Sequence, residues 1–140
     1  MLASIGRITE SFEEPVYSIV RALTGLLFMQ HGAQKLFGLF GGVDGTGATA
    51  PLASMYGAAG VIEFVGGLLI AVGILTRLVA LVTIGEMLAA QFIAHLPEGL
   101  VPVQNGGELG LLYIAVFLVL VVYGDGYYSV ERRLLDRELV

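Results

Sequence analysis

The chain has 140 residues, 56 % of them hydrophobic and only 14 % charged, with no cysteine and a formal net charge of −5. That length makes one domain, 1–140, and the charged fraction falls well below the ~25 % usual for soluble proteins, so the class is integral membrane protein. The missing cysteine excludes disulfides, thiol redox chemistry, iron–sulfur ligation and covalent haem attachment within this chain, and the acidic balance argues against a nucleic-acid partner.

Continuous apolar runs predict helices, where a barrel would show alternating segments of ~10 residues. Residues 1–14 place Leu2, Ile5, Ile8 and Phe12 at helical spacing, which predicts a short helix on the membrane surface. The opening stretch lacks a basic start followed by an apolar block, so the first span is expected to act as its own insertion signal. That span, roughly 16–37, opens next to Pro15, a residue suited to a first helical turn. At ~100° per residue its Thr24, Phe28, His31 and Lys35 fall on one stripe. Charge in hydrocarbon is costly, so the stripe is expected to face protein or a wet cavity.

The Gly-rich link 38–56 reads as a flexible loop; its GVDGTGA lacks the Lys-Ser/Thr and the preceding strand of a phosphate loop. Span two, roughly 57–75, repeats Ala59, Glu63, Gly67 and Ala71 every fourth residue, a spacing that lets helix backbones approach closely. Thr76 and Arg77 are expected to form a tight turn. Span three, roughly 78–95, is expected to stop where Pro97 forces Leu96 out of helical geometry. After a second Gly/Pro link, span four runs roughly 108–123 behind Glu108, whose charge suits a helix N-terminus. The tail from Ser129 reads as a second surface helix.

Six of the seven basic residues, Arg7, Arg21, Arg77, Arg132, Arg133 and Arg137, fall on one side of this four-span arrangement and Lys35 toward the other. The positive-inside rule then puts both termini in the cytoplasm and both long links outside. A short internal repeat relates His31 and Glu63 of the first hairpin to His95 and Glu108 of the second, as EFVGGLLIAV is echoed by ELGLLYIAV.

The outer third of the bundle therefore holds His31, Gln34, Lys35, Glu63, His95 and Glu108, with Glu86 near the middle. Lys35 and Glu63 read either as an interhelical ion pair or as substrate contacts. On an ideal wheel His95 is half a turn from Glu86, so the two are not expected to share a site; His95 reads as an interfacial histidine. Glu86 reads as a proton relay or a protonated acid, and Arg21 as a side chain that snorkels to the cytoplasm. No Glu-x-x-His or His-Glu-x-x-His occurs, so neither metal nor haem is expected.

The ordered blocks RALTGLLFMQHGAQKLFG, EFVGGLLIAVGILTR, EMLAAQFIAH, GGELGLLYIAV and YGDGYYSVE closely resemble the DoxX family of small membrane proteins. The family pattern lands on Arg21, Gly25, His31, Gly32, Lys35, Glu63, Gly66, Gly67, Gly73, Arg77, Glu108, Gly124, Gly126 and Ser129. Where the family often closes with Ser-x-Asp, this chain has Ser129-Val130-Glu131, a difference expected to matter little if that residue only caps or faces water. The resemblance implies an all-α four-helix bundle in the cytoplasmic membrane and links to redox work. Relatives include a membrane subunit of thiosulfate:quinone oxidoreductase and a mycobacterial assembly with superoxide dismutase and a sulfurtransferase.

The functional expectation is a redox-linked membrane subunit that binds a quinone or similar lipophile in the outer half of the bundle. Lys35, His31 and Gln34 would hold the head group, while Glu63, Glu108 and His31 would exchange protons. Electrons would come from the substrate, a redox partner protein or a larger membrane complex; a homo-oligomer is also compatible. The alternatives are a small-molecule transporter and a non-catalytic structural subunit.

Overall fold

The structure, a computed structural model, describes Gly6 and residues 9–139, and every regular element among them is helical. Half of the expected amphipathic helix over 1–14, residues 1–5, 7 and 8, lies outside the described residues. Helix α1 (Glu13–Phe37) carries Glu13 and Glu14 in its first turn and Lys35 in its last, the placement that suits the helix dipole. It ends at Gly38, whose φ of 67° is left-handed. Helix α2 (Met55–Val72) starts at Ser54, whose hydroxyl accepts the Gly57 N–H at 3.0 Å.

The link to helix α3 (Thr76–Ala90) is only Gly73–Leu75. Gly73 turns left-handed, and Ile74 N–H bonds back to Leu69 O at 3.0 Å, which closes a Schellman-type cap. Thr76 and Arg77 therefore belong to the helix and not to the turn. Beyond Ala90 the helix continues as one π turn, Gln91–His95, and a 3-10 turn, Leu96–Glu98. Leu96 keeps helical angles (φ −60°, ψ −34°), so the expected break at Pro97 does not occur. Proline occupies the first turn of the 3-10 piece, where its missing N–H is harmless, and the chain leaves the helix at Gly99. Helix α4 (Pro102–Asn105) is one turn, and helix α5 (Glu108–Tyr123) has the bounds read from its apolar run. Helix α6 (Val130–Leu135) closes the described chain.

The α1–α2 loop is held by its own bonds. The Asp44 carboxylate accepts Thr46 N–H at 2.9 Å and Ala48 N–H at 3.3 Å, and Ala50 N–H reaches back to Lys35 O at 2.7 Å. The Thr46 bonds hold the Asp44 carboxyl below its ordinary pKa.

Helix α1 lies along α2, and α3 packs on both α2 and α5. The α1–α2 seam is glycine-lined: a β-carbon on Gly67 would fall 2.5 Å from Met29 N and 2.6 Å from Gly25 O. Gly32 meets Phe64 and Gly60 in the same way. Of the four-residue repeat, Gly67 and Ala71 serve this seam, while Ala59 and Glu63 line a cavity. Phe28, Ile70, Ala80, Met87, Tyr113, Phe117 and Leu120 fill the interior. The outward faces are just as apolar, with Ile19, Leu23, Leu68, Leu81, Leu112 and Val122 all exposed, a surface that suits lipid and not water. By length and composition two described helices, Met55–Val72 and Thr76–Glu98, can cross a membrane.

Candidate functional site

Near the tight link, α2 and α3 touch: a β-carbon on Gly66 would lie 3.2 Å from Val79 Cγ1 and 3.3 Å from Thr83 Cγ2. Further out, Met55, Ala59 and Ile62 of α2 and Val82, Glu86, Ala89 and Ile93 of the third helix line a cavity of about 610 Å³. Phe28, His31 and Lys35 of α1 and Tyr113 of α5 complete its walls. That size lies within the range of sites that hold small organic ligands.

One wall is charged. Lys35 Nζ lies 2.8 Å from Glu63 Oε1 and 2.6 Å from Oε2. Glu63 is 4 % exposed, so the ion pair is mostly screened from solvent. Glu86, one helix over, lines the same cavity. Its Oε2 is buried and meets no donor among the described residues. His31, one turn before Lys35, stands edge-on to Tyr113 with ring centroids 5.9 Å apart.

The opposite end of the cavity is neutral and polar. Gln91 Nε2 donates to Gly107 O at 2.7 Å, and His95 Nδ1 lies 3.0 Å from Asn105 O. A carbonyl only accepts, so Nδ1 carries the hydrogen and Nε2 is left as an acceptor. His95 and Glu86 line the same cavity, contrary to the straight-helix expectation. The cause is the π turn: Leu96 N–H bonds to Gln91 O, five residues back. The extra residue per turn brings His95 round toward the Glu86 side.

Of the residues expected at the site, His31, Lys35 and Glu63 line the cavity. Gln34 does not; it lies ~100° round α1 from Lys35 and is half-buried. Glu108 is exposed at the start of α5 and also lies outside the lining, although its neighbours Leu109 and Gly110 belong to it. Sequence reasoning missed Glu86, Gln91, His95 and Tyr113 as members of one site. Glu86 had a signal, a carboxyl in an apolar run, but nothing in the sequence named its partner.

A second polar cluster lies at the other end of the molecule. Arg21 is 2 % exposed, and its guanidinium donates to Ile70 O (2.6 Å), Ala71 O (2.8 Å) and Tyr128 O (2.8 Å). It does not snorkel; it caps carbonyls in the last turn of α2, where Ile70 O also accepts the Gly73 N–H. Asp125 accepts Thr76 N–H at 3.0 Å and Glu131 accepts Leu75 N–H at 2.8 Å, so both cap α3. Glu131 is 3 % exposed, and the tail is docked onto the bundle end through it. The Glu-for-Asp difference at 131 thus falls on a buried cap.

Comparison with known proteins matches a DoxX family model to residues 16–96. The chain is 32 % identical to an uncharacterized protein of Haemophilus influenzae, over 91 % of this chain and 97 % of that one. It is 33 % identical to a protein of Escherichia coli named inner membrane protein YqjF, over 83 % and 89 % of the two chains. It is 26 % identical to a Bacillus subtilis protein named "Putative oxidoreductase CatD", over 81 % and 82 %. No solved structure matches.

Proposed function

The chain belongs to the DoxX family, and from that premise we propose that it is a redox-linked membrane subunit whose cavity takes the head group of a quinone or a similar lipophile. The observation that carries this reading is an apolar cavity lined by the Lys35–Glu63 ion pair and by Glu86. Helices α1, α2, α3 and α5 form the four-helix bundle of this reading, with both termini on the cytoplasmic side of the inner membrane. The basic residues of the sequence and the E. coli relative's name support that placement; the B. subtilis relative's name supports the redox link.

A quinone, when bound, supplies two carbonyl acceptors and takes up two electrons and two protons. Lys35 and His31 are donors on the cavity wall and would orient one carbonyl. Glu86 is a carboxyl on the same lining and joins Glu63 and His31 in the proton-exchanging part, which the sequence reading gave to Glu63, Glu108 and His31. Tyr113, whose ring stands against His31, offers a further hydroxyl donor on the lining. The chain has no cysteine, so electrons come from the substrate or a partner protein.

The test is a lipid extract of the purified protein together with a thermal-stability titration using a short-chain ubiquinone or menaquinone analogue. Co-purified quinone and an upward shift that Lys35→Met abolishes are expected. No quinone and no shift would remove this reading. A lipid-facing cleft with carboxyls also suits a transporter; a flux into proteoliposomes that Glu63→Gln abolishes would favour that alternative.

A further inference from the structure

We infer that the Lys35–Glu63–Glu86 cluster is a proton-binding site, with one exchangeable proton carried on the Glu86 carboxyl. Ionised carboxylate oxygens only accept hydrogen bonds, so a carboxyl buried without a donor is costly to ionise and holds its proton instead. Glu63 and Glu86 line one cavity but differ in what their oxygens meet. Lys35 decides which of the two is the acid. Its ammonium lies 2.8 and 2.6 Å from the two oxygens of Glu63, a geometry that satisfies an ionised carboxylate. Glu86 receives nothing comparable, and its Oε2 is buried without a donor.

Charge balance leads to the same assignment. Two ionised carboxylates against one ammonium would leave a net negative charge on a largely apolar wall, which is costly in a membrane interior. One proton makes the cluster neutral. The groups facing it from the packed elements are His31 and Lys35 from α1, Gln91 and His95 from the π turn, and Tyr113 from α5. Lys35 alone among them is engaged with the carboxyls. Because Glu86 lines the cavity, the proton is held on a ligand-accessible wall. The inference rests on the side chains around the cavity and holds whichever lipophile enters it.

Infrared spectroscopy of the ligand-free protein in lipid nanodiscs, in H2O and then D2O, tests the assignment. The expected result is a carboxylic-acid C=O band that shifts on exchange, is lost in Glu86→Gln and is kept in the exposed control Glu98→Gln. The absence of an acid band, or a band that survives in Glu86→Gln, would overturn it. Should Glu86→Gln fail to fold, carbon-13 labelling of glutamate carboxyls in the unmodified chain answers instead: the band must move with the label, and one that stays put overturns the inference. The spectrum needs no ligand, so a failure to bind quinone leaves this result standing, and the reverse holds too.

Discussion

Lys35 and Glu63 show why a charged pair in an apolar protein is hard to separate into structure and function. The two oxygens of Glu63 are both engaged by one ammonium, so removing Lys35 strands a buried carboxylate. Lys35→Ala is expected to lose ~3–5 kcal/mol, the usual consequence of breaking a buried pair from one side. The double variant Lys35→Met/Glu63→Leu should recover much of that loss in detergent unfolding; strictly additive losses would contradict the pairing. Arg21→Lys should also destabilise, by ~1–3 kcal/mol for each carbonyl left unmet; Ile70 O keeps its bond from Gly73 N–H, so the loss falls on Ala71 O and Tyr128 O. A lysine ammonium does not span Ile70 O, Ala71 O and Tyr128 O as the planar guanidinium does. At this scale the sequence showed which residues are anomalous, since His31, Lys35 and Glu63 stand out against an apolar background. It did not show where they end up. Arg21 looked free to reach water but is pinned under three carbonyls, and Glu108 is exposed at the start of α5, outside the cavity lining.

Helix bounds were legible where the apolar run itself starts and stops, as in α5, and where a left-handed glycine ends α1. The π turn was not, because one extra residue in a turn leaves no mark on hydropathy. It nevertheless sets the far end of the cavity. The α1–α2 seam is the clearest element-scale prediction. Gly67→Leu should abolish close packing of the two helices, because backbone atoms of Met29 and Gly25 occupy the space a side chain needs. Gly85→Ala, where nothing lies within 4 Å, should be silent; thermal unfolding of the two variants checks the contrast. Capping of α3 gives a second prediction: Asp125→Ala should cost ~0.5–2 kcal/mol, the range for loss of a helix cap, through the orphaned Thr76 N–H.

For the whole molecule, the apolar outer faces and the helical class follow from composition, but the cavity does not. It exists because α2 and α3 meet at Gly66 and both line the space beyond it, joined by the link Gly73–Leu75 where the sequence reading put a tight turn at Thr76 and Arg77. Orientation is open to a direct check, because a cysteine-free chain reports only the thiols that are introduced. With both termini cytoplasmic, Asp44→Cys should label with an impermeant maleimide from the periplasmic side and Asp136→Cys only after the membrane is opened; the reverse pattern would invert the topology.

The most direct measurement on the cavity itself is photo-crosslinking of the protein in membranes with an azido-quinone, followed by peptide mapping. Label on residues 55–63 and 82–95 that excess unmodified quinone competes away is the predicted result. Label spread over the lipid-facing surface, unaffected by competitor, would contradict it.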